Sequence, residues 1–175
     1  MIEFDPEKTW LAVEKRMEAE TNPRIRANLE EVRNHMRAEI RGEHGPLMDT
    51  LTAEPQYHMW GIPEESGPKG RAAVSEFYEN MISTGGNRFH FDVRLICADE
   101  NSVITEGVMR SLMPGVVLKA SGVEAVDGEA VSDDGEYVAE WQILTVWPID
   151  EAGKIIGEDI YFGSPPMNRV GKRAS

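Results

Sequence analysis

Apolar positions recur at three- and four-residue spacing through the first half of the chain, then at every second position through much of the rest. Residues 5–20 open with Asp5-Pro6, an N-cap followed by proline at the first helical position. Trp10, Val13 and Met17 follow at helical spacing, which predicts a first helix. Asn22-Pro23 repeats the start signal, and Ile25, Leu29, Val32, Met36 and Ile40 then form one apolar stripe that Gly42 ends. His35 lies near the edge of that stripe, and its neighbours Arg33, Asn34 and Arg37 also allow an exposed side chain. A short helical turn over 46–51 leads into an extended stretch over 56–60, and residues 63–70 read as a loop. A third helix over 71–83 buries Val74, Phe77, Tyr78 and Met81 and stops at Gly85-Gly86.

From residue 89 onward the period falls to two. Phe89, Phe91, Val93 and Leu95 share one face, opposite His90, Asp92 and Arg94. Asp99-Glu100-Asn101 turns this strand into the next, over 102–113. Residues 137–149 form a long strand with Trp141, Ile143, Thr145 and Trp147 on one face, and a turn at 150–153 returns it over 154–162. The Gly-rich acidic stretch over 115–135 has no clear period; its acidic end reads as a solvated loop or a lid over a pocket. The expected fold is α+β, a curved antiparallel or mixed sheet wrapped around N-terminal helices. One domain is expected over 1–175, with an extra helix in 1–22 and a tail over 164–175, loose or an oligomer contact.

Composition narrows the function. With 18 Lys and Arg against 31 Asp and Glu, the net charge of −13 argues against nucleic acid, whose phosphates need clustered cations. No apolar run is long enough to cross a membrane, and the acidic first residues do not read as a signal peptide, so a cytoplasmic protein is expected. Cys97, the one cysteine, excludes an internal disulfide. No Gly-rich phosphate loop follows a strand, and no HxH or HExxH spacing occurs, so the expectation is no cofactor and no metal.

The order of elements, with Gly42-Glu43-His44-Gly45-Pro46-Leu47-Met48-Asp49, Gly70-Arg71-Ala72-Ala73-Val74, Val103-Ile104-Thr105-Glu106-Gly107 and the closing hairpin from Val146 to Phe162, resembles the nuclear transport factor 2-like (SnoaL-like) superfamily. The likeness spans roughly residues 25–163. It implies a cone whose open end holds a ligand. Members include ketosteroid isomerase, scytalone dehydratase, limonene epoxide hydrolase, polyketide cyclases and a formaldehyde-releasing diarylpropane lyase, while others only bind protein. The resemblance also implies a homodimer.

Matched to ketosteroid isomerases, the catalytic tyrosine position holds His35, the aspartate base position holds Met59 and the oxyanion-hole aspartate position holds Thr145. Matched to limonene epoxide hydrolase, Gly107, Met109 and Ile160 replace its arginine and two aspartates, and Tyr57 stands for its tyrosine. Neither reaction is implied. The shared register does aim Tyr57, Met59, Thr105, Gly107, Met109, Ser111, Trp141, Ile143, Thr145, Trp147 and Glu158 into the cone.

Four residues are catalytic candidates. Glu158, among apolar neighbours, has the setting for a raised carboxyl pKa and general acid or base work, or for a structural salt bridge. His35 and His58 bring imidazole, though His58 alternates to the other strand face. Tyr57 can donate to a developing oxyanion or simply pack. Met59, Tyr78, Phe91, Met109, Trp141, Thr145 and Trp147 are expected to bind a hydrophobic, aromatic small molecule. His44 and His90 read as surface or turn residues, and Arg110 with Glu106 as an outer-face ion pair. The leading expectation is a cofactor-independent lyase, dehydratase or isomerase that eliminates water or formaldehyde. The alternatives are a polyketide-type cyclase and a non-catalytic binding module.

Overall fold

The structure, a computed structural model, describes residues 1–61, 66–165 and 167–174. The first predicted helix is broken: a 3-10 turn, Pro6–Lys8, precedes α1 (Leu11–Glu18). Thr9 between them has another task. Its hydroxyl accepts the Phe91 N–H at 3.2 Å, satisfying a strand edge that would otherwise be orphaned. Asn22 caps α2 (Pro23–Arg41) by accepting the N–H groups of Arg24 and Ile25, and Gly42 ends it in the left-handed region at φ 67°. α3 (His44–Asp49) starts two residues earlier than the predicted turn, and β1 (Leu51–Trp60) starts well before Gln56. Part of the loop expected over 63–70 lies outside the described residues. α4 (Arg71–Thr84) then leads to β2 (Phe89–Ala98) and β3 (Ser102–Pro114).

The stretch without a period is ordered around its own small core. α5 (Gly115–Ala120) and the hairpin β4 (Ala125–Val126) and β5 (Glu129–Ala130) bury Leu118, Val126 and Val131 against Tyr137. After β6 (Glu136–Pro148) and β7 (Ile155–Phe162), the tail expected to be loose or an oligomer contact forms β8 (Arg169–Lys172), paired antiparallel with Tyr137–Glu140 of β6. The sheet order is β1-β7-β6-β3-β2, with β8 beside β6. β1 and β7 run parallel; the other pairs are antiparallel. α2 and α4 bury Leu29, Val32, Met36, Val74 and Tyr78 against Val103, Ile143, Trp147 and Ile155 of this sheet.

Two irregularities set the register. Between Val93 and Leu95 the pairing of β2 with β3 shifts by one residue at Arg94. Gly107 permits this: a Cβ there would lie 2.1 Å from the Asp92 carbonyl oxygen. Strict alternation therefore fails at Leu95, which is 54% exposed, and Ile96 packs on the core in its place. Between Leu51 and Gln56, β1 also bulges against β7 around Pro55, which cannot donate to a ladder.

Two side-chain expectations are corrected. His90 is buried, and its Nδ1 accepts the Asp5 N–H at 3.2 Å. Burial, followed by the charge of Arg110, lowers its pKa from 6.5 and keeps it the neutral acceptor this bond requires. Arg110 reaches Glu140 at 2.8 Å and Asp92 at 3.0 Å, whereas Glu106 accepts from Gln142. His44 is half-buried, within 3.1 Å of the Ser75 hydroxyl. Among the described residues, no helix is long and apolar enough to cross a membrane.

Candidate active site

A cavity of about 250 Å³ opens between the helices and the inner face of the sheet. Its wall is mostly rings and thioethers: Phe77 from α4, Phe89 and Phe91 from β2, Met109 from β3, Trp141 and Trp147 from β6. Its polar groups are few. Tyr57, Tyr78, Glu158, Glu39, Ser111 and Thr145 face it, and among the described residues no Lys, Arg or His does so.

The strands place these groups by register. Tyr57 and Glu158 are neighbours across the parallel β1–β7 pair, so both project from the same face. Tyr78, on the buried face of α4, is the hub. Its hydroxyl donates to Glu158 Oε1 at 3.0 Å and lies 2.9 Å from the Tyr57 hydroxyl and 3.0 Å from His35 Nε2. His35 Nε2 is also 3.3 Å from Glu158 Oε1.

The far side of His35 fixes its tautomer. The Thr50 hydroxyl donates to the Leu47 carbonyl at 2.6 Å, so it accepts from His35 Nδ1 at 2.7 Å. Nδ1 therefore carries hydrogen, and only Nε2 is free to gain or lose one. Two arrangements with the same number of protons satisfy the cluster. In one, Tyr78 donates to His35 Nε2 and Glu158 holds its own proton. In the other, His35 is an imidazolium facing a Glu158 carboxylate, and Tyr78 donates to Glu158. The two differ in which of His35 Nε2 and Glu158 Oε1, 3.3 Å apart, holds one proton.

Burial, then the charge of Glu158, pushes the Tyr57 and Tyr78 hydroxyls well above their ordinary value of 10.0. Both stay protonated, as oxyanion donors must. Glu39, half-buried on α2, is pushed well above 4.5 by burial and then by the charge of Glu158. Stability depends on pH as a result. The unfolded chain gives up the Glu39 proton near 4.5 and the folded chain at higher pH, so folding is penalised progressively as pH rises through that interval. Glu39→Gln carries no such penalty. Its melting temperature is expected to match the wild type at about pH 4 and to exceed it increasingly above about pH 5. A constant difference at every pH in thermal melts would show that Glu39 does not titrate this way.

Of the four catalytic candidates, the structure brings together His35, Tyr57 and Glu158 without placing all three at the cavity. His35 is fully buried, against the exposed alternative, and stands behind Tyr78 rather than in the cavity wall. His58 stands apart: it faces outward, 2.8 Å from Asp159 and stacked on Trp60, as the parity of its strand requires. Of the expected binding residues, Tyr78, Phe91, Met109, Trp141, Thr145 and Trp147 line the cavity; Met59 does not. Thr105 is buried and accepts the Trp147 indole N–H at 3.0 Å. No residue of the acidic stretch over 115–135 is in the cavity wall, against the lid alternative. Glu39 and Thr50 are members of the site that the sequence pattern does not single out. Glu39 is four positions after His35, and that spacing on a helix was the available signal. Among the described residues, no group of three or more His, Cys, Asp or Glu is placed to hold a metal ion.

No family model and no curated protein matches the chain. Solved structures do. A SnoaL-like polyketide cyclase candidate from Shewanella putrefaciens superposes with a TM-score of 0.61 at 10% identity, over 86% of each chain. The epoxide hydrolase/cyclase-like enzyme SalBIII, with a role in pyran ring formation in the polyether salinomycin, gives 0.54 at 15% identity, over 83% of this chain and 95% of that one. A nuclear transport factor 2-like protein from Burkholderia xenovorans gives 0.53 at 13% identity, over 79% of this chain and 90% of that one.

Proposed function

From the nuclear transport factor 2-like fold that the chain has, we propose a cofactor-independent enzyme that performs general acid–base chemistry on a hydrophobic, ring-bearing small molecule. One observation carries the reading. An apolar cavity ends in a carboxyl and two tyrosine hydroxyls joined within 3.0 Å, with a buried imidazole of fixed tautomer behind them. A purely structural core gains little from such a cluster, because every buried polar group costs desolvation.

In the proposed step, the Glu158 carboxylate takes a proton from carbon next to a substrate carbonyl. Tyr57 or Tyr78 donates to the oxygen on which charge develops. His35 touches no substrate. It is a positioning residue that holds Tyr78 and Glu158 in place and supplies or accepts the balancing proton. Elimination of water, isomerisation and intramolecular aldol cyclisation all start from this proton transfer. In retro-aldol loss of formaldehyde the same carboxylate would instead take the β-hydroxyl proton, the C–C bond breaking to release formaldehyde and leave the enolate on the tyrosine donors. The cyclase option draws support from the SnoaL-like neighbours, whose likeness to this chain is one of fold. The cavity exceeds the ~150 Å³ that holds a benzene ring in an engineered core, so a ring together with its substituents fits.

The test is exchange of substrate protons with solvent. Metal-free protein is incubated in D2O with hydroxylated diaryl, steroid and polyketide-like ketones, and deuterium next to the carbonyl is followed by NMR. Deuterium incorporation or turnover is the expected result. Tight binding of these ketones without exchange or turnover would favour a non-catalytic binding module.

A further inference from the structure

The proton chain leaves one acidic cavity group unused. Glu39 lines the same cavity as Glu158, but among the described residues its carboxyl has neither a hydrogen-bond donor nor a cation beside it. Glu158, by contrast, is satisfied by Tyr78 and His35. Among the described residues the cavity wall supplies no Lys, Arg or His to balance Glu39, and the rest of that wall is dominated by the rings of Phe77, Phe89, Phe91, Trp141 and Trp147.

We infer that the molecule taken by this cavity carries a basic nitrogen, whose ammonium sits against Glu39 among the aromatic rings. The inference rests on the reading of the cavity as a substrate site and specifies the substrate class. Three physical arguments converge on it. An ammonium offers up to three N–H donors to a carboxylate that has none, whereas a hydroxyl offers one. A cation is attracted to the faces of Trp and Phe, which a neutral group is not. A positive charge also offsets the Glu158 charge, which after burial is the second cause of the raised Glu39 pKa. A carboxylate or phosphate ester would meet the opposite field and is excluded as the group placed there.

Three ligands of one shape test this: 4-phenylbutylamine, 4-phenylbutanol and 4-phenylbutyrate, titrated near neutral pH and followed by calorimetry and by Trp fluorescence. The amine is expected to bind at least about tenfold more tightly than the alcohol, and the butyrate more weakly than either. Glu39→Gln is expected to bring the amine to the level of the alcohol while leaving the alcohol within about twofold. This variant keeps the shape of the side chain and removes only its charge, so folding is not at issue. An amine that binds no better than the alcohol, or not at all, overturns the inference. So does a preference that survives Glu39→Gln. The two readings fail separately. An amine preference without proton exchange on any ketone removes the enzymatic reading alone. Exchange on neutral ketones without an amine preference removes the nitrogen alone.

Discussion

Glu158→Gln is expected to lower kcat by roughly 10²- to 10⁴-fold, with KM within about twofold of wild type. Glutamine keeps the size of the side chain and an oxygen able to accept from the Tyr78 hydroxyl, a bond that spans 3.0 Å in the wild type. What it loses is the capacity to hold a proton. The loss therefore falls on the transition state rather than on ground-state binding, and kcat should drop with kcat/KM. The measurement is deuterium exchange and turnover on the same ketones, with binding followed independently by Trp fluorescence. If the variant exchanges within twofold of wild type, Glu158 is only a structural member of the cluster. His35→Ala provides the contrast. It removes the group behind Tyr78, so its effect should include a shifted pH profile, which lost packing alone would not produce.

Gly157→Ala is expected to cost at least about 4 kcal/mol, a large part of the roughly 5–15 kcal/mol that holds a domain folded. A Cβ at this position would lie 1.8 Å from the Gln56 carbonyl oxygen, 2.6 Å from its carbon and 2.9 Å from its nitrogen. All three are backbone atoms, so no side chain can turn away to make room. β7 and β1 must separate where they are paired, next to Glu158 and Tyr57. Gly45→Ala is the matched control. It lies within α3, and beyond its chain neighbours and its own helix nothing is inside 4 Å of the added methyl, so its effect should stay within about 1 kcal/mol. Urea unfolding of the two variants decides the matter: a cost below about 1 kcal/mol for Gly157→Ala would mean the strands slide apart freely.

Much of the fold is legible in the sequence because period and parity are local. The α2 stripe from Ile25 to Ile40 and the face shared by Trp141 to Trp147 follow from spacing, while the inward position of Tyr57 and Glu158 comes from the register that the family resemblance implies. Parity also turns His58 outward, which its contact with Asp159 matches. The departures have a common cause. Each depends on a partner remote in the chain. Thr9 breaks a helix because β2 needs a hydrogen-bond acceptor, and Arg94 breaks an alternation because Gly107 lies opposite the bulge. His90 is buried because the N-terminal segment folds onto it. Glu39 sits between Arg37 and Arg41 and reads as one more surface charge until the sheet closes over it. Tyr78 is legible as a packing residue but not as the hub of a proton chain, since its three polar partners come from three other elements.

The parallel pairing of β1 with β7 has a kinetic meaning. Tyr57 and Glu158 are expected to meet late, because the chain between them also has to form α4, β2, β3 and β6. Local pieces such as α2 or the β2–β3 hairpin close short loops and form early, whereas this contact bears one of the largest loop-closure entropies in the molecule. On refolding, helical signal and hairpin protection should therefore recover before any catalytic competence. Until β1 pairs with β7, Glu158 and Tyr57 are not held in one place.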